Sequence, residues 1–486
     1  MSVIIYSKGG AECVTGSCHI IDIDGKKFMI DCGLFQGKRA ESDKKNREFD
    51  IDTSEIESVV LTHAHADHSC RLPLLCKNGF DGTIYTTPST RDLANIVMMD
   101  SAKIQQKDIE LLKKKRVKNK EDEFKKQPLY SEKDVLKTSK QFKTVPYKKE
   151  VNLADNVSIE FFDAGHILGS AFVSMNIKNA NAPKGLFGRI FGKSKDTDIN
   201  VLFSGDIGRP NRPIIQNPST EVPAPDYMLL ESTYGNRKHE SIEFAIDELA
   251  EIVNDTVKKN GKLIIPCFAI ERTQEVLYYL HLLSDQKRIP KKIPIYVDSP
   301  MASNATQVFN IHQECYNEET RNQFLKKGKN PFSFGQLSFV DTMEESKRLD
   351  KMPGPMIIIS ANGMMEEGRV VYHTQAAIED PNNTILIVGF MAENTLGRKI
   401  RDGAKEVSIM ENTYKVNASV RTINAFSAHA DYDEMTEWLK EIDTSKLKKI
   451  FLVHGEADAQ AFLQEHLRKQ GYNVEIIKIG KTYKLK

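Results

Sequence analysis

The stretch Thr62-His63-Ala64-His65-Ala66-Asp67-His68 puts three of the chain's 12 histidines and one aspartate within six positions. Imidazole nitrogen and carboxylate oxygen are good donors for zinc and metals of similar borderline softness. The stretch follows Ser58-Val59-Val60-Leu61, an apolar run that reads as a short buried strand. Side chains alternate along a strand, so His63 and His65 point the same way and can grip one metal ion. Asp67 and His68 lie past the strand end, where the loop turns them towards a neighbouring metal position. A chain with this stretch must fold so that further donors arrive from elsewhere.

Donors of that kind stand at other strand ends. Val201-Leu202-Phe203 leads into Ser204-Gly205-Asp206, Tyr227-Met228-Leu229-Leu230 into Glu231-Ser232-Thr233, and Ile450-Phe451-Leu452-Val453 into His454-Gly455-Glu456. His166 stands in Asp163-Ala164-Gly165-His166. Singly, each is an ordinary cap or turn residue. Their common placement after apolar runs makes them ligand candidates, because sites in layered α/β folds gather where strands end.

The middle of the chain, residues 236–420, has another rhythm. Gly261 to Pro266, Ile293 to Val297, Met356 to Ile359 and Thr384 to Val388 read as strands, and Arg272 to Leu283 as a helix. Ser299 before Pro300 signals a helix start. Strands alternating with helices predict a parallel sheet, hence an α/β domain (236–420) inserted into a first domain made of 1–235 and 421–486. Residues 103–150 are charged, with Lys113-Lys114-Lys115-Arg116 among them, and predict a helical surface excursion with little strand. Residues 180–198 predict an extended hairpin loop.

Lys plus Arg number 68 against 67 for Asp plus Glu, and 40% of residues are hydrophobic, which excludes disordered, collagen-like and histone-like chains. No apolar run approaches the roughly 18 residues of a membrane helix, so no membrane association is expected. The N-terminus lacks the features of a secretory signal, and the seven cysteines (Cys13, Cys18, Cys32, Cys70, Cys76, Cys267, Cys315) are scattered. Together these predict a cytoplasmic protein whose cysteines are buried small residues.

His63 to His68 resembles the HxHxDH signature of the metallo-β-lactamase fold, and His166 and Asp206 match its third and fourth metal motifs. Asp31, in Ile30-Asp31-Cys32-Gly33, resembles its first motif, which supports the site. Glu231, His429 in Phe426-Ser427-Ala428-His429-Ala430-Asp431, and His454 resemble motifs A, B and C of the β-CASP branch, the nucleic-acid-processing members. The likeness runs from about residue 9 to the C-terminus and takes in Pro266-Cys-Phe-Ala-Ile-Glu-Arg-Thr-Gln, Asp298-Ser-Pro-Met-Ala and Thr395-Leu-Gly-Arg398, stretches like those of the mRNA 3′-end cleavage endonuclease and its bacterial and archaeal relatives. Glu271 departs from the Gly of many relatives, and Asn362 from their Ser or Ala. The chain ends soon after motif C, as in compact bacterial members without a KH-type extension.

The resemblance implies a metallo-β-lactamase αββα sandwich with an inserted β-CASP domain, and a zinc-dependent endoribonuclease. It implies two Zn²⁺ ions, His63, His65 and His166 holding one, Asp67, His68 and His454 the other, and Asp206 bridging. Asp67, His429 and Glu231 are the implied catalytic residues: water activated between the ions attacks phosphorus, leaving 5′-phosphate and 3′-hydroxyl ends, while His429, paired with Glu231, stabilises charge or donates a proton. His at motif C favours single-stranded RNA over DNA. Net charge near zero requires local phosphate contacts; Arg272 and Arg398 are the candidates, with surface ion pairs as the alternative. Phe268 is read as a core residue that could otherwise stack on a base. The rival readings are a small-molecule hydrolase of the same fold, which leaves motifs A to C unexplained, and a non-catalytic RNA-processing scaffold, which would have lost ligands. Exonuclease activity from the 5′ end, a homodimer, an RNA-processing complex and the RNA target are left open.

Overall fold

The computed structural model describes residues 1–37, 39–49, 51–118, 127–178, 198–239, 242–335, 337–389, 391 and 395–486. These form two compact units: Met1–Pro210, Asn217–Lys238 and His429–Lys486 make the first, and Asn211–Gln216 with His239–Ala428 the second.

The first unit is built on two seven-stranded sheets. In spatial order the first sheet runs Tyr483–Leu485, Val3–Gly9, Cys18–Ile23, Lys26–Ile30, Ile56–Val60, Thr83–Thr86, Phe142–Thr144. It is antiparallel as far as Lys26–Ile30 and parallel beyond. The second sheet runs Val474–Ile476, Lys449–Val453, Tyr227–Glu231, Ile199–Phe203, Ala171–Ile177, Val157–Asp163, Val151–Ala154, with its first four strands parallel. Period-two alternation assigns each face. Val201, Phe203, Leu229, Phe451 and Val453 meet Ile5, Phe28, Ile30 and Val60 of the first sheet in the central core. The residues between them, Leu202, Met228, Leu230, Ile450 and Leu452, pack instead on Met435, Trp438, Leu439, Leu463 and Leu467. Those belong to helices Tyr432–Glu441 and Ala457–Lys469, which cover the outer face. Burial on both faces explains why these strands read as unbroken apolar runs. With helix Pro88–Lys118 and its neighbours on the first sheet, the layers are helix, sheet, sheet, helix.

The second unit contains a six-stranded sheet in the order Leu337–Phe339, Ile295–Val297, Met356–Ser360, Lys262–Pro266, Thr384–Ile387, Ser419–Thr422. Every pairing in it is parallel, as alternating strands and helices predict. Helix Pro300–Ile311 starts as read: the Ser299 hydroxyl accepts from Ala302 N and Pro300 takes the first helical position. Ser419–Thr422 completes this sheet, so the unit continues to Ala428, beyond residue 420. The segment Asn211–Gln216 joins it through contacts that no local pattern announces. The Arg212 guanidinium pairs with Glu275, Asn317 Nδ2 donates to the Arg212 carbonyl at 2.9 Å, and Ile214 N donates to Thr320 Oγ1 at 3.0 Å.

Other expectations are corrected in detail. The charged segment does form helices, Pro88–Lys118 and Glu132–Thr138, but it also supplies strand Phe142–Thr144, too short and mixed to show as an apolar run. The hairpin expected at 180–198 lies, apart from its last residue, outside the described residues. All seven cysteines are free; six are buried and Cys13 is half-buried. No described helix is long and apolar enough to cross a membrane.

A buried ionic cluster ties three elements of the second unit together. His373 on helix Arg369–Ala377 faces Asp298 through Nε2 and Asp350 through Nδ1, both at 2.6 Å, and Arg369 also pairs with Asp298. A carboxylate at each ring nitrogen requires both to be donors, hence an imidazolium. Burial works against that charge, yet the two carboxylates hold the His373 pKa above its ordinary value. Because the folded pKa is raised, the stability it contributes is fully present below the unfolded value of about 6.5 and fades as pH rises through the folded one. His373→Gln is therefore expected to cost roughly 2–4 kcal/mol at pH 6, and the gap to the wild type should narrow steadily in urea unfolding towards pH 9.

Candidate metal centre

The sandwich brings the sequence-predicted donors together where strands end. Ile56–Val60 of the first sheet runs through Leu61 and Thr62 into His63, and His65 caps the short helix Ala66–Ser69, whose first turn carries Asp67 and His68. From the second sheet come His166 after Val157–Asp163, Asp206 after Ile199–Phe203, Glu231 as the last residue of its strand, and His454 after Lys449–Val453.

Their donor atoms form two separate groups, His63, His65, His166 and Asp206 in one, Asp67, His68 and His454 in the other, with Asp206, Glu231 and His454 a third set that overlaps both. In the first, His65 Nδ1 lies 3.2 Å from His63 Nε2 and 3.1 Å from His166 Nε2. Asp206 Oδ2 lies 3.3 Å from His63 Nε2 and 3.5 Å from His166 Nε2. A tetrahedral shell with ligands about 2.0–2.1 Å from its ion has edges of about 3.3 Å, so these spacings fit one. In the second group His68 Nε2 and His454 Nε2 are 3.2 Å apart, and Asp67 Oδ2 is 3.5 Å from His454 Nε2. The other Asp206 oxygen, Oδ1, lies 3.4 Å from His68 Nε2 and accepts no hydrogen bond although it is buried. One carboxylate thus offers an oxygen to each group.

The electrostatics agree with this donor set. Burial, reinforced by neighbouring imidazoles, pushes His63 and His166 down and His65 to about 3, leaving neutral rings with lone pairs to give. Burial would raise the Asp206 carboxyl, but His454, His68 and His63 hold it well below the usual range. For His68, burial is overcome by Asp206 and Asp31, which raise its pKa above the ordinary value. These two carboxylates therefore call for positive charge at His68.

The backbone that aims these groups is tightly constrained. Asp31, itself at φ +61°, accepts from Thr62 N and Thr62 Oγ1 at 2.8 Å, and its Oδ2 lies 2.7 Å from His68 Nδ1. It orients the ring without belonging to either group. Cys32 N donates to the His68 carbonyl and Leu34 N to the Ala66 carbonyl. At Gly33 between them, a Cβ would fall 1.5 Å from the Asp67 carbonyl oxygen. His454 sits at φ +49°, a region costly for most side chains; its amide donates to Gly10 O at 2.6 Å, and its Nδ1 lies 3.1 Å from Thr233 Oγ1.

His429 approaches from its own loop, which bridges to Gly208 and donates through Ala430 N to Ile207 O. Its Nδ1 lies 3.0 Å from Glu231 Oε1 and 3.9 Å from Asp206 Oδ2. Burial would lower it, but Glu231 and then Asp206 raise its pKa to about 9. Glu231 is fully buried and its carboxylate also accepts from Ile207 N and Thr233 N.

The two candidate phosphate contacts lie in the second unit. Arg272 is buried and paired with Glu275, which also takes Arg212. Arg398 is one-third exposed, with Nε 2.5 Å from Asp402 Oδ2. Phe268, expected in the core, is 42% exposed. Residues the sequence reading passed over are Thr62, Thr233 and His19. The threonines flank motif residues, which is the signal that could have found them. His19 is buried behind Asp31 between Ser7 and Ser17, its pKa lowered to about 4 by burial, and it stands alone in its strand, Cys18–Ile23.

Comparison with known proteins agrees with this geometry. Residues 20–219 match the metallo-beta-lactamase superfamily domain, 273–400 the Beta-Casp domain, and 413–477 the Zn-dependent metallo-hydrolase RNA specificity domain. The chain is 33% identical to Ribonuclease TTHA0252 of Thermus thermophilus over 97% of both chains. It is 30% identical to transcription termination factor FttA of Methanosarcina mazei, over 96% of this chain and 69% of that one. A crystal structure of a protein of unknown function from Enterococcus faecalis superposes over 100% of both chains with a TM-score of 0.56 at 11% identity, a likeness of fold.

Replacing Asp31 by Asn puts an amide opposite His68 Nδ1 and loosens the ring. Divalent-ion affinity is expected to fall about 10- to 100-fold, measured by competition with a chromophoric chelator, with the circular dichroism spectrum unchanged.

Proposed function

The chain belongs to the β-CASP branch of the metallo-β-lactamase superfamily, and from that premise we propose that it is a zinc-dependent endoribonuclease leaving 5′-phosphate and 3′-hydroxyl ends. The observation that carries this reading is the Asp206 carboxylate, with one oxygen facing each group of donors. His63, His65 and His166 would hold one Zn²⁺, Asp67, His68 and His454 the other, with Asp206 shared. Such ions, when bound, supply Lewis acidity at phosphoryl oxygens and make water acidic enough to ionise near neutral pH.

The protein's own groups supply the remainder. The buried walls around His63, His166 and Asp206 exclude bulk water, so each charge acts in a medium of low dielectric. Asp31 keeps His68 in register, and Glu231 fixes the His429 ring while favouring its protonated form. With Nδ1 committed to Glu231, His429 Nε2 is the atom that hands a proton to the departing 3′ oxygen. The attacking water, having released one proton to solvent, forms the new oxygen–phosphorus bond as the bond to the 3′ oxygen breaks; the His429 proton completes the 3′-hydroxyl, and His429 recovers a proton from solvent before the next turnover.

RNA as substrate is supported by the family of ribonucleases to which the chain is similar and by histidine at position 454. A cytoplasmic location is part of the same proposal.

Incubation of the zinc-loaded protein with circular single-stranded RNA tests this reading, because a circle offers exonucleases no end. The wild type is expected to linearise it, while the Asp67→Ala, His68→Ala double variant loses at least about 10³-fold in rate. An intact circle, with metal occupancy verified, would count against the endoribonuclease.

A further inference from the structure

Strand Lys262–Pro266 is an interior strand of the second unit's parallel sheet, and it runs at its C-terminal end into Cys267 and Phe268. Ligands of open parallel sheets bind beyond the carboxyl ends of the strands, and there Phe268 leaves 42% of its surface in solvent. A lone exposed aromatic is unremarkable by itself. Three observations set this one apart.

First, its backbone is clamped. Cys267 N donates to Ser360 O, and the Phe268 carbonyl accepts from both Thr273 N at 3.2 Å and Thr273 Oγ1 at 2.8 Å. Second, the loop carries strain. Glu271 stands at φ +65° and ψ −57° while Arg272 N donates to Ile270 O at 2.8 Å, a γ-turn of the rare, strained kind. Strain of this sort is kept where it holds a functional group in place. Third, the ring has a floor and cationic company. A Cβ at Gly363 would lie 3.2 Å from Phe268 Cδ2 and Cε2, so one side of the ring rests on bare backbone. The next residue, Met364, accepts through its carbonyl from Gly397 N of helix Leu396–Arg401. That helix carries Arg398, Lys399 and Arg401; Asp402 accepts from both arginines, and Glu366 accepts from Leu396 N at the helix start.

Resting on the RNA reading above, we propose that Phe268 is a substrate-positioning residue that stacks on a base of the single-stranded RNA, beside a backbone phosphate held by the Arg398 helix. A rigid, exposed ring near cationic side chains is the combination by which proteins hold single strands without reading sequence. The ring touches no reacting atom. Its contribution is binding, so it should govern KM and leave the chemical step alone.

The test compares steady-state cleavage of an oligoribonucleotide by zinc-loaded wild type, Phe268→Ala, Phe268→Leu and Phe268→Trp. Phe268→Ala is expected to raise KM about 5- to 100-fold with kcat within about twofold. Phe268→Trp should restore KM, whereas Phe268→Leu, equally apolar, should not. On the same oligonucleotide made abasic along its length, wild type and Phe268→Ala should converge. Equal KM on normal RNA, rescue by Leu, or a difference that persists on abasic RNA would overturn the stacking role while the ribonuclease stands. A metal-loaded wild type that neither binds nor cuts RNA would overturn both.

Discussion

The carboxylate of Asp206 is the interaction on which the rest of the site depends. Burying an ionised carboxylate costs several kcal/mol unless it is compensated, and among the described residues the histidines around Asp206, with any cation they share, provide that compensation. His63 and His166 meet one of its oxygens and His68 the other. His63 and His68 follow strand Ile56–Val60, His166 follows Val157–Asp163 and Asp206 itself follows Ile199–Phe203. The two sheets must therefore keep their strand ends in register to within a fraction of an ångström, or the cost of burying that charge is not offset.

That demand accounts for features that would otherwise be liabilities. Asp31 and His454 tolerate positive φ, Gly33 lets one backbone touch another, and at Gly208 a Cβ would fall 1.7 Å from the Gly165 carbonyl oxygen. The loops bearing His166, Asp206 and His429 are thereby pressed together. The second unit shows the same logic on a smaller scale, where His373 is fixed as an imidazolium by Asp298 and Asp350.

Much of this was legible in the sequence because strands buried on both faces appear as apolar runs, and the donors stand directly after them. The parallel sheet of the second unit and the Ser299–Pro300 helix start were readable for the same local reasons. Features made by partners distant in sequence were hidden. Asn211–Gln216 enters the second unit through Glu275, Asn317 and Thr320, about 60 to 110 positions away. Arg212, brought from about 60 positions away, shares Glu275 with Arg272, and Phe268 looked like core because its apolar neighbours are. His19, the lone histidine of strand Cys18–Ile23, carried no signal of its nearness to Asp31.

The count of tightly bound divalent ions per folded chain, taken by native mass spectrometry with elemental analysis, tests the central claim most directly. Two ions are expected for the wild type and at most one for Asp206→Ala. A folded, metal-replete wild type that holds fewer than two, or an Asp206→Ala variant that keeps both at undiminished affinity, would contradict a centre built around this carboxylate.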